Sequence, residues 1–191
     1  MKSPVILLLL ALSAVATACA DGTMPAVPSP EAIGRIVSLS PSITREIMEL
    51  GCADRIVGVT TFSPVPGPKA VIVGPLIRPN AETIALLRPD IILASSEDSA
   101  VQYTERLVSL GIPLHVFKRN DDFDDLCDNY SALAKLLRKE KEAAVLLAVY
   151  RQRRDLLMAG SGAVKKVVRV AFIVSADPLI TVSGRSFVGR I

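Results

Sequence analysis

Residues 121–159 read DDFDDLCDNYSALAKLLRKEKEAAVLLAVYRQRRDLLMA and contain neither glycine nor proline. Because glycine and proline are the strongest local breakers of regular structure, so long a run without them predicts helix. Its apolar residues recur at spacings of three and four, the stripe of an amphipathic helix. Acidic residues crowd its start and arginines lie near its end, the charge order that the helix dipole favours. The polar run at 138–142 predicts a break, so we expect a terminal helix and then a longer one that spans roughly 30 Å.

Short apolar runs alternate with helical patterns in the sequence that precedes these helices. Strands are predicted at residues 35–39, 55–59, 70–73, 90–94 and 113–117. Helices are predicted after the capping residues Ser42 and Asn80, and again over about 99–110. Strands that are apolar throughout indicate a parallel sheet covered on both faces. We therefore predict a Rossmann-like N-terminal α/β lobe over residues 35–120, followed by terminal and connecting helices over residues 121–160.

One further apolar region follows the long helix. Residues 169–174 and 179–182 are predicted to be extended, with a turn between them and a helix start at Ser183. A lone apolar strand exposes unpaired backbone groups and is a poor way to end a protein. Either a further segment is missing or this region pairs elsewhere. We expect residues 167–191 to be only the first strand region of a second α/β lobe, which is truncated.

The first residues have the pattern of an export signal. Lys2 precedes a short apolar run and then a run of small residues, which is typical of a secretory signal peptide, here residues 1–18. Two cleavage sites stay open. Ala16-Thr17-Ala18 suits ordinary signal peptidase, whereas the same residues followed by Cys19 resemble a bacterial lipobox. The second alternative predicts lipidation of Cys19, a membrane anchor, and a flexible tether over residues 19–34.

Two further cysteines leave two alternatives. In an exported chain Cys52 and Cys127 can form a disulfide. Cys127 lies on the apolar helix stripe and Cys52 in a turn, so we favour burial of both as small hydrophobic residues.

Polar residues follow four of the predicted strands. They occupy residues 40–42, 61–63, 95–97 and 118–119. Ligands of open α/β sheets bind beyond the carboxyl ends of the strands, so these segments predict where a site lies.

Motifs for catalysis and metal binding are absent from the sequence. It has no GxGxxG after a strand, no GxxxxGK[ST] phosphate loop and no GxSxG elbow, so we predict no enzyme and no cofactor. The only histidine, His115, falls in an apolar strand, and the acidic run at 121–125 lacks the glycine and distal glutamate of a calcium loop. A net charge of +3, with no tryptophan, argues against nucleic acid as a partner.

Several segments together resemble one family. Residues 35–46 read RIVSLSPSITRE, residues 54–59 read DRIVGV, and residues 79–94 read PNAETIALLRPDIILA. DPLIT at 177–181 then precedes Gly184. In order and spacing these segments resemble the ABC-transporter substrate-binding proteins for cobalamin, haem and ferric siderophores. The resemblance implies two α/β lobes joined by one long helix, with little closure of the lobes.

The resemblance also implies a docking role for Glu82. In the family's Asn-x-Glu motif, one glutamate on each lobe docks into arginines of the permease, and two separated ion pairs fix orientation as well as affinity. The second lobe's glutamate would lie beyond Ile191. The alternative is that Glu82 only complements the helix dipole.

Ligand positions follow from the same resemblance and from the strand ends. Phe62 matches a position where cobalamin binders present an aromatic ring, which can stack on a macrocycle. Arg78 is a candidate partner for haem propionates or an anionic siderophore, or else a solvated loop charge. Leu76 and Ser95 replace residues that are often aromatic in cobalamin binders, which argues against cobalamin. The candidate ligand-binding residues are Pro41, Ser42, Phe62, Ser63, Arg78, Ser95 and Ser96.

The first hypothesis is therefore an extracytoplasmic solute-binding component of an ABC importer. It is predicted to lie in the periplasm or on the outer face of the cytoplasmic membrane, and to deliver an iron-siderophore, haem or cobalamin-type ligand to permease subunits. The alternatives are a non-functional truncated remnant or gene fragment of such a receptor, or a surface interaction lipoprotein.

Overall fold

The computed structural model describes residues 33–96, 104–109, 111–161, 170–184 and 187–190. The predicted signal peptide at 1–18, the lipidation candidate Cys19 and most of the predicted tether at 19–34 lie outside these residues. So do Glu97 and the first part of the helix predicted at 99–110.

A parallel five-stranded sheet forms the centre of the described structure. Its strands are β1 (Ile36–Ser38), β2 (Ile56–Val59), β3 (Val71–Ile72), β4 (Ile91–Ser95) and β5 (Leu114–Phe117). They lie in the order β3-β2-β1-β4-β5, and every neighbouring pair is parallel. The chain changes direction across the sheet between β1 and β4, which is the doubly wound arrangement of Rossmann-like folds. The predicted fold class is confirmed.

Helices cover both faces of this sheet. They are α1 (Pro41–Glu49), α2 (Ala81–Leu86), α3 (Thr104–Val108), α4 (Phe123–Leu137) and α5 (Glu140–Ser161). On one face α1, α4 and α5 contribute Ile47, Leu133 and Leu147 to the core. On the other face α2 and α3 contribute Ile84 and Leu107. Within the described ranges, no helix combines the length and the apolar character that crossing a membrane requires.

The neighbouring strands β1 and β4 are buried on both faces of the sheet. Ile36 and Leu93 belong to the first core and Val37 and Ile92 to the second, and none is more than 1% exposed. Burying one such side chain fully is worth about 1.5 to 3 kcal/mol. Burial on both faces explains why these strands are apolar throughout.

Hydrogen bonds at the amino-terminal ends of the strands join β1 to β4. Asp90 Oδ2 accepts from the backbone N–H groups of Gly34 and Arg35, each at 2.8 Å. The Arg35 guanidinium donates to the Leu87 carbonyl at 2.6 Å. These bonds join the start of β1 to the start of β4 and to the end of α2.

The break between α4 and α5 lies at Arg138, inside the polar run where the sequence predicts it. Arg138 adopts a left-handed φ of 57°, and its N–H bonds back to the Ala134 carbonyl. Lys139 Nζ lies 2.7 Å from Glu142 Oε1 in the first turn of α5. The predicted terminal helix and the longer helix after it are both present.

The start of α1 corrects one sequence prediction. Ser40, not Ser42, occupies the capping position, and Pro41 is the first helical residue. Proline suits that place because its missing N–H would have no partner there and its φ is already helical. The prediction for α2 is confirmed, since the Asn80 side chain accepts from the Thr83 N–H at 3.0 Å.

Both described cysteines are buried, free thiols. Cys52 and Cys127 are each 1% exposed and form no disulfide. Burial raises the pKa of both thiols. The interpretation of these residues as small hydrophobic side chains is confirmed, and the disulfide alternative is wrong.

A separate strand pair follows the long helix. β6 (Ile173–Ala176) and β7 (Leu179–Thr181) pair antiparallel, and α6 (Phe187–Arg190) comes after them. The second predicted extended segment, 179–182, matches β7. The first, 169–174, overlaps β6 only at residues 173 and 174, and residues 175–176 of the predicted turn belong to this strand. Because β6 and β7 pair with each other, the expectation of a lone strand is wrong. Their assignment to a second lobe stays a prediction.

The packing around Gly58 predicts a large effect of one methyl group. A Cβ at this position of β2 would lie 2.9 Å from Leu87 Cδ1 and 3.0 Å from Val37 Cγ2. Gly58→Ala is therefore expected to lower the free energy of unfolding by about 1 to 3 kcal/mol. Gly67→Ala is the matched control, because a Cβ there meets nothing within 4 Å. Equal stability of the two variants in urea denaturation would contradict this account.

Candidate functional site

The carboxyl ends of β1 and β4 lie side by side where the strand order reverses. In open α/β sheets this switch point opens into a crevice that receives ligands. Pro41 and Ser42 follow β1, while Ser95 ends β4 and Ser96 follows it. Ser42 and Ser96 are exposed, whereas Ser95 is only 7% exposed. The structure thus brings exposed hydroxyl groups from two neighbouring strands to one end of the sheet.

A network of buried hydroxyls fixes the turn from β1 into α1. The Thr44 hydroxyl lies 2.8 Å from Ser38 Oγ and 2.9 Å from the Ser40 carbonyl oxygen. Ser38 Oγ donates to the same carbonyl at 3.1 Å. Ser40 Oγ and Ser42 Oγ are 3.0 Å apart. Because Ser38, Ser40 and Thr44 are at most 2% exposed, water does not compete for these bonds, and the exposed Ser42 stands on a rigid base.

The turn after β2 carries an exposed aromatic ring. Thr60 Oγ1 and Ser63 Oγ are 2.9 Å apart, and the Ser63 N–H donates to the Thr60 carbonyl at 3.0 Å. The Thr61 N–H donates to the Gly74 carbonyl at 3.0 Å. Phe62, between these anchored residues, is 77% exposed. The hydroxyls of Thr60 and Ser63 thus stabilise the turn itself, and the turn exposes Phe62 to solvent.

The two cations after β5 pair with the acidic run at the start of α4. Lys118 Nζ lies 2.6 Å from Asp125 Oδ1, and Arg119 Nε lies 2.9 Å from Asp121 Oδ1. The Asp122 side chain caps α4 by accepting from the Asp125 N–H at 2.9 Å. The acidic run therefore shapes the start of a helix, as the sequence predicts.

A polar pocket of about 240 Å³ lies at the segment that joins β3 to α2. It is lined by Arg78, Pro79, Asn80, Ala81, Glu82 and, from α3, Arg106. The Asn80 N–H donates to the Val73 carbonyl at 2.7 Å, which holds the segment against β3. Arg78, Glu82 and Arg106 are exposed. Arg78, a predicted ligand residue, thus shares a pocket with Glu82, the predicted docking residue.

All seven predicted ligand-binding residues follow or end strands of the one parallel sheet. Pro41 and Ser42 come after β1, Phe62 and Ser63 after β2, Arg78 after β3, and Ser95 and Ser96 at the end of β4. They differ in access, since Ser63 and Ser95 are buried while Ser42, Phe62, Arg78 and Ser96 are exposed. Their role in binding a ligand stays a prediction.

Sequence reasoning missed the buried hydroxyls and one arginine of these sites. The capping position of Ser40 could have been predicted from the sequence, because a serine directly before proline is a recognisable helix start. Thr44 gave no signal, since its partner Ser38 lies on the preceding strand. Arg106 gave none either, because only the packing of α3 beside α2 brings it near Glu82.

The remaining candidates for chemistry have structural explanations. The His115 ring packs edge-on against Phe117 with centroids 4.5 Å apart, and burial lowers the pKa of His115. Within the described part of the chain, no group of three or more His, Cys, Asp or Glu side chains is placed to hold a metal ion.

A groove of about 340 Å³ lies between α1, α4 and α5, and Ser42 forms part of its wall. Phe123, Leu126 and Leu147 give it an apolar lining. Glu46 is half-buried in this groove, and burial, together with the nearby Glu49 charge, raises its pKa from 4.5 to about 7. The groove therefore holds a carboxyl group that is largely protonated at mildly acidic pH.

Comparison with known proteins gives a consistent family. The sequence profile of the family described as "Periplasmic binding protein" matches residues 36–186. A vitamin B12-binding protein of Yersinia pestis is 28% identical over 166 residues, which cover 86% of this chain and 57% of that protein. The chain thus spans little more than half the length of this curated relative.

Two solved structures have the same fold. A periplasmic heme binding protein of Vibrio cholerae is 27% identical with a TM-score of 0.64, over 73% of this chain and 54% of that one. A periplasmic vitamin B12 binding protein of Vibrio cholerae is 24% identical with a TM-score of 0.72, over 85% of this chain and 63% of that one.

The raised pKa of Glu46 predicts a pH-dependent stability. The folded protein binds the Glu46 proton more tightly than the unfolded chain does. The resulting gain in unfolding free energy is complete below pH 4.5. It is lost as the pH rises from 4.5 through about 7, and it amounts to roughly 3 kcal/mol. Glu46→Gln is expected to be the more stable protein at pH 8, with a flatter dependence of unfolding free energy on pH.

Glu140→Gln is the matched control, because Glu140 is exposed in the first turn of α5. It should keep the pH dependence of the unchanged protein in chemical denaturation at pH 5, 6, 7 and 8. Identical pH profiles for the two variants would show that Glu46 does not titrate in this range.

Proposed function

The chain belongs to the periplasmic binding protein family, and we propose that it is the extracytoplasmic solute-binding component of an ABC importer. Its proposed ligand is an iron-siderophore, haem or cobalamin-type molecule. It holds this ligand at the carboxyl end of the parallel sheet and delivers it to the membrane permease. No bond is made or broken in this role, so the protein needs neither catalytic residues nor a resident cofactor, and any chelated metal is cargo.

The observation that carries the proposal is the arrangement at the switch point. A rigid hydroxyl network positions Ser42 beside the end of β4, and the anchored turn after β2 presents a ring that is 77% exposed. An exposed aromatic ring at the same end of the sheet as fixed polar groups suits a large flat ligand, because the ring stacks while hydroxyls bind the periphery. The names of the relatives, which bind vitamin B12 and heme, support this ligand class.

Arg78 supplies the charge that an anionic ligand requires. A guanidinium group recognises carboxylates through two parallel hydrogen bonds, which suits haem propionates and acidic siderophores. Arg78 is exposed in the segment between β3 and α2. Because Arg78 lies beside Glu82, it is also a candidate for the permease interface. We therefore propose it for both ligand binding and docking.

Glu82 is the proposed contact to the permease. It is exposed in the first turn of α2, where the Asn80 cap holds the backbone. Pairing with a permease arginine uses its charge in an interface where salt bridges set orientation and association rate. We place the protein in the periplasm or on the outer face of the cytoplasmic membrane, with Cys19 as the proposed lipid anchor.

Ligand-dependent protection from unfolding tests the proposed function. The full chain is heated with haemin, cyanocobalamin or a ferric siderophore, each at about 100 times its dissociation constant, and the unfolding temperature is measured. A bound ligand at this excess stabilises the folded state by about 2.7 kcal/mol, which raises the unfolding temperature by several degrees. Protection by one ligand class supports the proposal. No shift with any of the three, up to their solubility limits, overturns it.

Phe62→Ala is expected to weaken binding without weakening the fold. Stacking of an aromatic ring contributes about 0.5 to 1.5 kcal/mol, so the dissociation constant for the bound macrocycle should rise roughly 2- to 12-fold. Val65→Ala is the matched control, since Val65 is 54% exposed in the same loop. Isothermal titration calorimetry gives both constants, and equal affinities would remove Phe62 from the site.

A further inference from the structure

The pocket beside Glu82 has a mixed charge with an excess of arginine. Among the described residues of its lining, Arg78 and Arg106 each bring a positive charge, and Glu82 brings one negative charge. Arg78 comes from the segment before α2 and Arg106 from α3, so the two cations belong to different elements of the fold. The shape of this surface therefore depends on how α2 and α3 are placed relative to each other.

These three charges have no ion-pair partner among the described residues. The cations that form salt bridges among the described residues all lie after β5, and they are Lys118, Arg119, Lys139 and Arg154. Arg78, Glu82 and Arg106 are exposed, so solvent screens them in the free protein.

The floor of the pocket is rigid. Pro79 is buried, and Asn80 is fixed twice, by the N–H bond to Val73 and by its side-chain bond to the Thr83 N–H. The charged groups therefore extend from a fixed backbone. A partner with complementary charges can use this pocket without first ordering the segment that carries them.

The excess positive charge restricts which surface can approach Glu82. A partner that offers only arginines is attracted by Glu82 and repelled by Arg78 and Arg106. Like charges brought together at an interface repel each other strongly once water is excluded. A partner that also carries a carboxylate converts this repulsion into a second ion pair and fixes the orientation of the first.

We propose that Arg106, aided by Arg78, binds an acidic side chain of the same membrane subunit whose arginine pairs with Glu82. This inference rests on the proposed function, because it assumes that Glu82 docks to a permease. The docking surface is then bipolar, and the permease face that fits it carries an arginine and a carboxylate side by side. A permease without the carboxylate is rejected.

The test measures docking and ligand binding separately. The tagged full chain is used to isolate its permease from membranes of the producing bacterium, and mass spectrometry must identify subunits of an ABC importer. Affinity for this permease in nanodiscs is then measured by biolayer interferometry for Glu82→Gln, Arg106→Gln and Arg106→Glu. Arg153→Gln is the matched control, because Arg153 is an exposed arginine of α5, on the opposite face of the sheet.

We expect about a tenfold loss of affinity for Arg106→Gln, a larger loss for Arg106→Glu, and no change for Arg153→Gln. Each loss should shrink as salt is raised, because exposed ion pairs are screened. If Glu82→Gln weakens docking while Arg106→Gln leaves it unchanged or tightens it, this inference is overturned and the proposed function stands.

Two other results separate the remaining cases. If no permease is captured, or if neither Glu82→Gln nor Arg106→Gln changes docking, the permease role of this surface fails and the inference fails with it. If Arg106→Gln leaves docking intact but weakens binding of haemin, the anion in the pocket belongs to a ligand and not to a membrane subunit, which also overturns the inference.

Discussion

The carboxylate of Asp90 is the constraint on which the arrangement of the sheet depends. It accepts two backbone hydrogen bonds from the residues that lead into β1, while it stands at the start of β4. The guanidinium of Arg35 adds a bond to the end of α2. Because β1 and β4 are the neighbours between which the chain reverses direction, fixing them at the amino edge fixes where their carboxyl ends separate. The position of the crevice at the carboxyl ends of β1 and β4 therefore depends on polar contacts at their amino-terminal ends.

The site is divided between a rigid part and an accessible part. Buried hydroxyls donate to the backbone at the turn into α1, and the Thr60 and Ser63 hydroxyls bond to each other at the turn after β2. The groups left over for a partner, such as Ser42 and Phe62, are exposed neighbours of these residues. In each loop, buried hydroxyls maintain the backbone shape and a neighbouring side chain faces solvent. This division lets loops carry recognition without becoming loose.

Local sequence signals predicted the elements, and their failures have a common physical origin. The strand positions, the Asn80 cap and the break at Arg138 depend on residues close together in the chain, and all three were predicted. The start of α1 was misplaced by two residues because Ser40 and Ser42 offer competing caps. The raised pKa of Glu46 and the approach of Arg106 to Glu82 depend on packing between elements distant in sequence. No pattern within a single helix encodes such contacts.

The brevity of β3 has a consequence for the behaviour of the protein in concentrated solution. β3 is the outermost strand on its side of the sheet and contains only Val71 and Ile72, both exposed. A long, flat, apolar edge is a template on which a second chain can add a strand and begin to polymerise. Two residues offer too few free backbone groups for that, and the preceding loop carries Pro64, Pro66 and Pro68, which cannot donate to a ladder. The short strand and the prolines before it therefore disfavour strand addition at this side of the sheet.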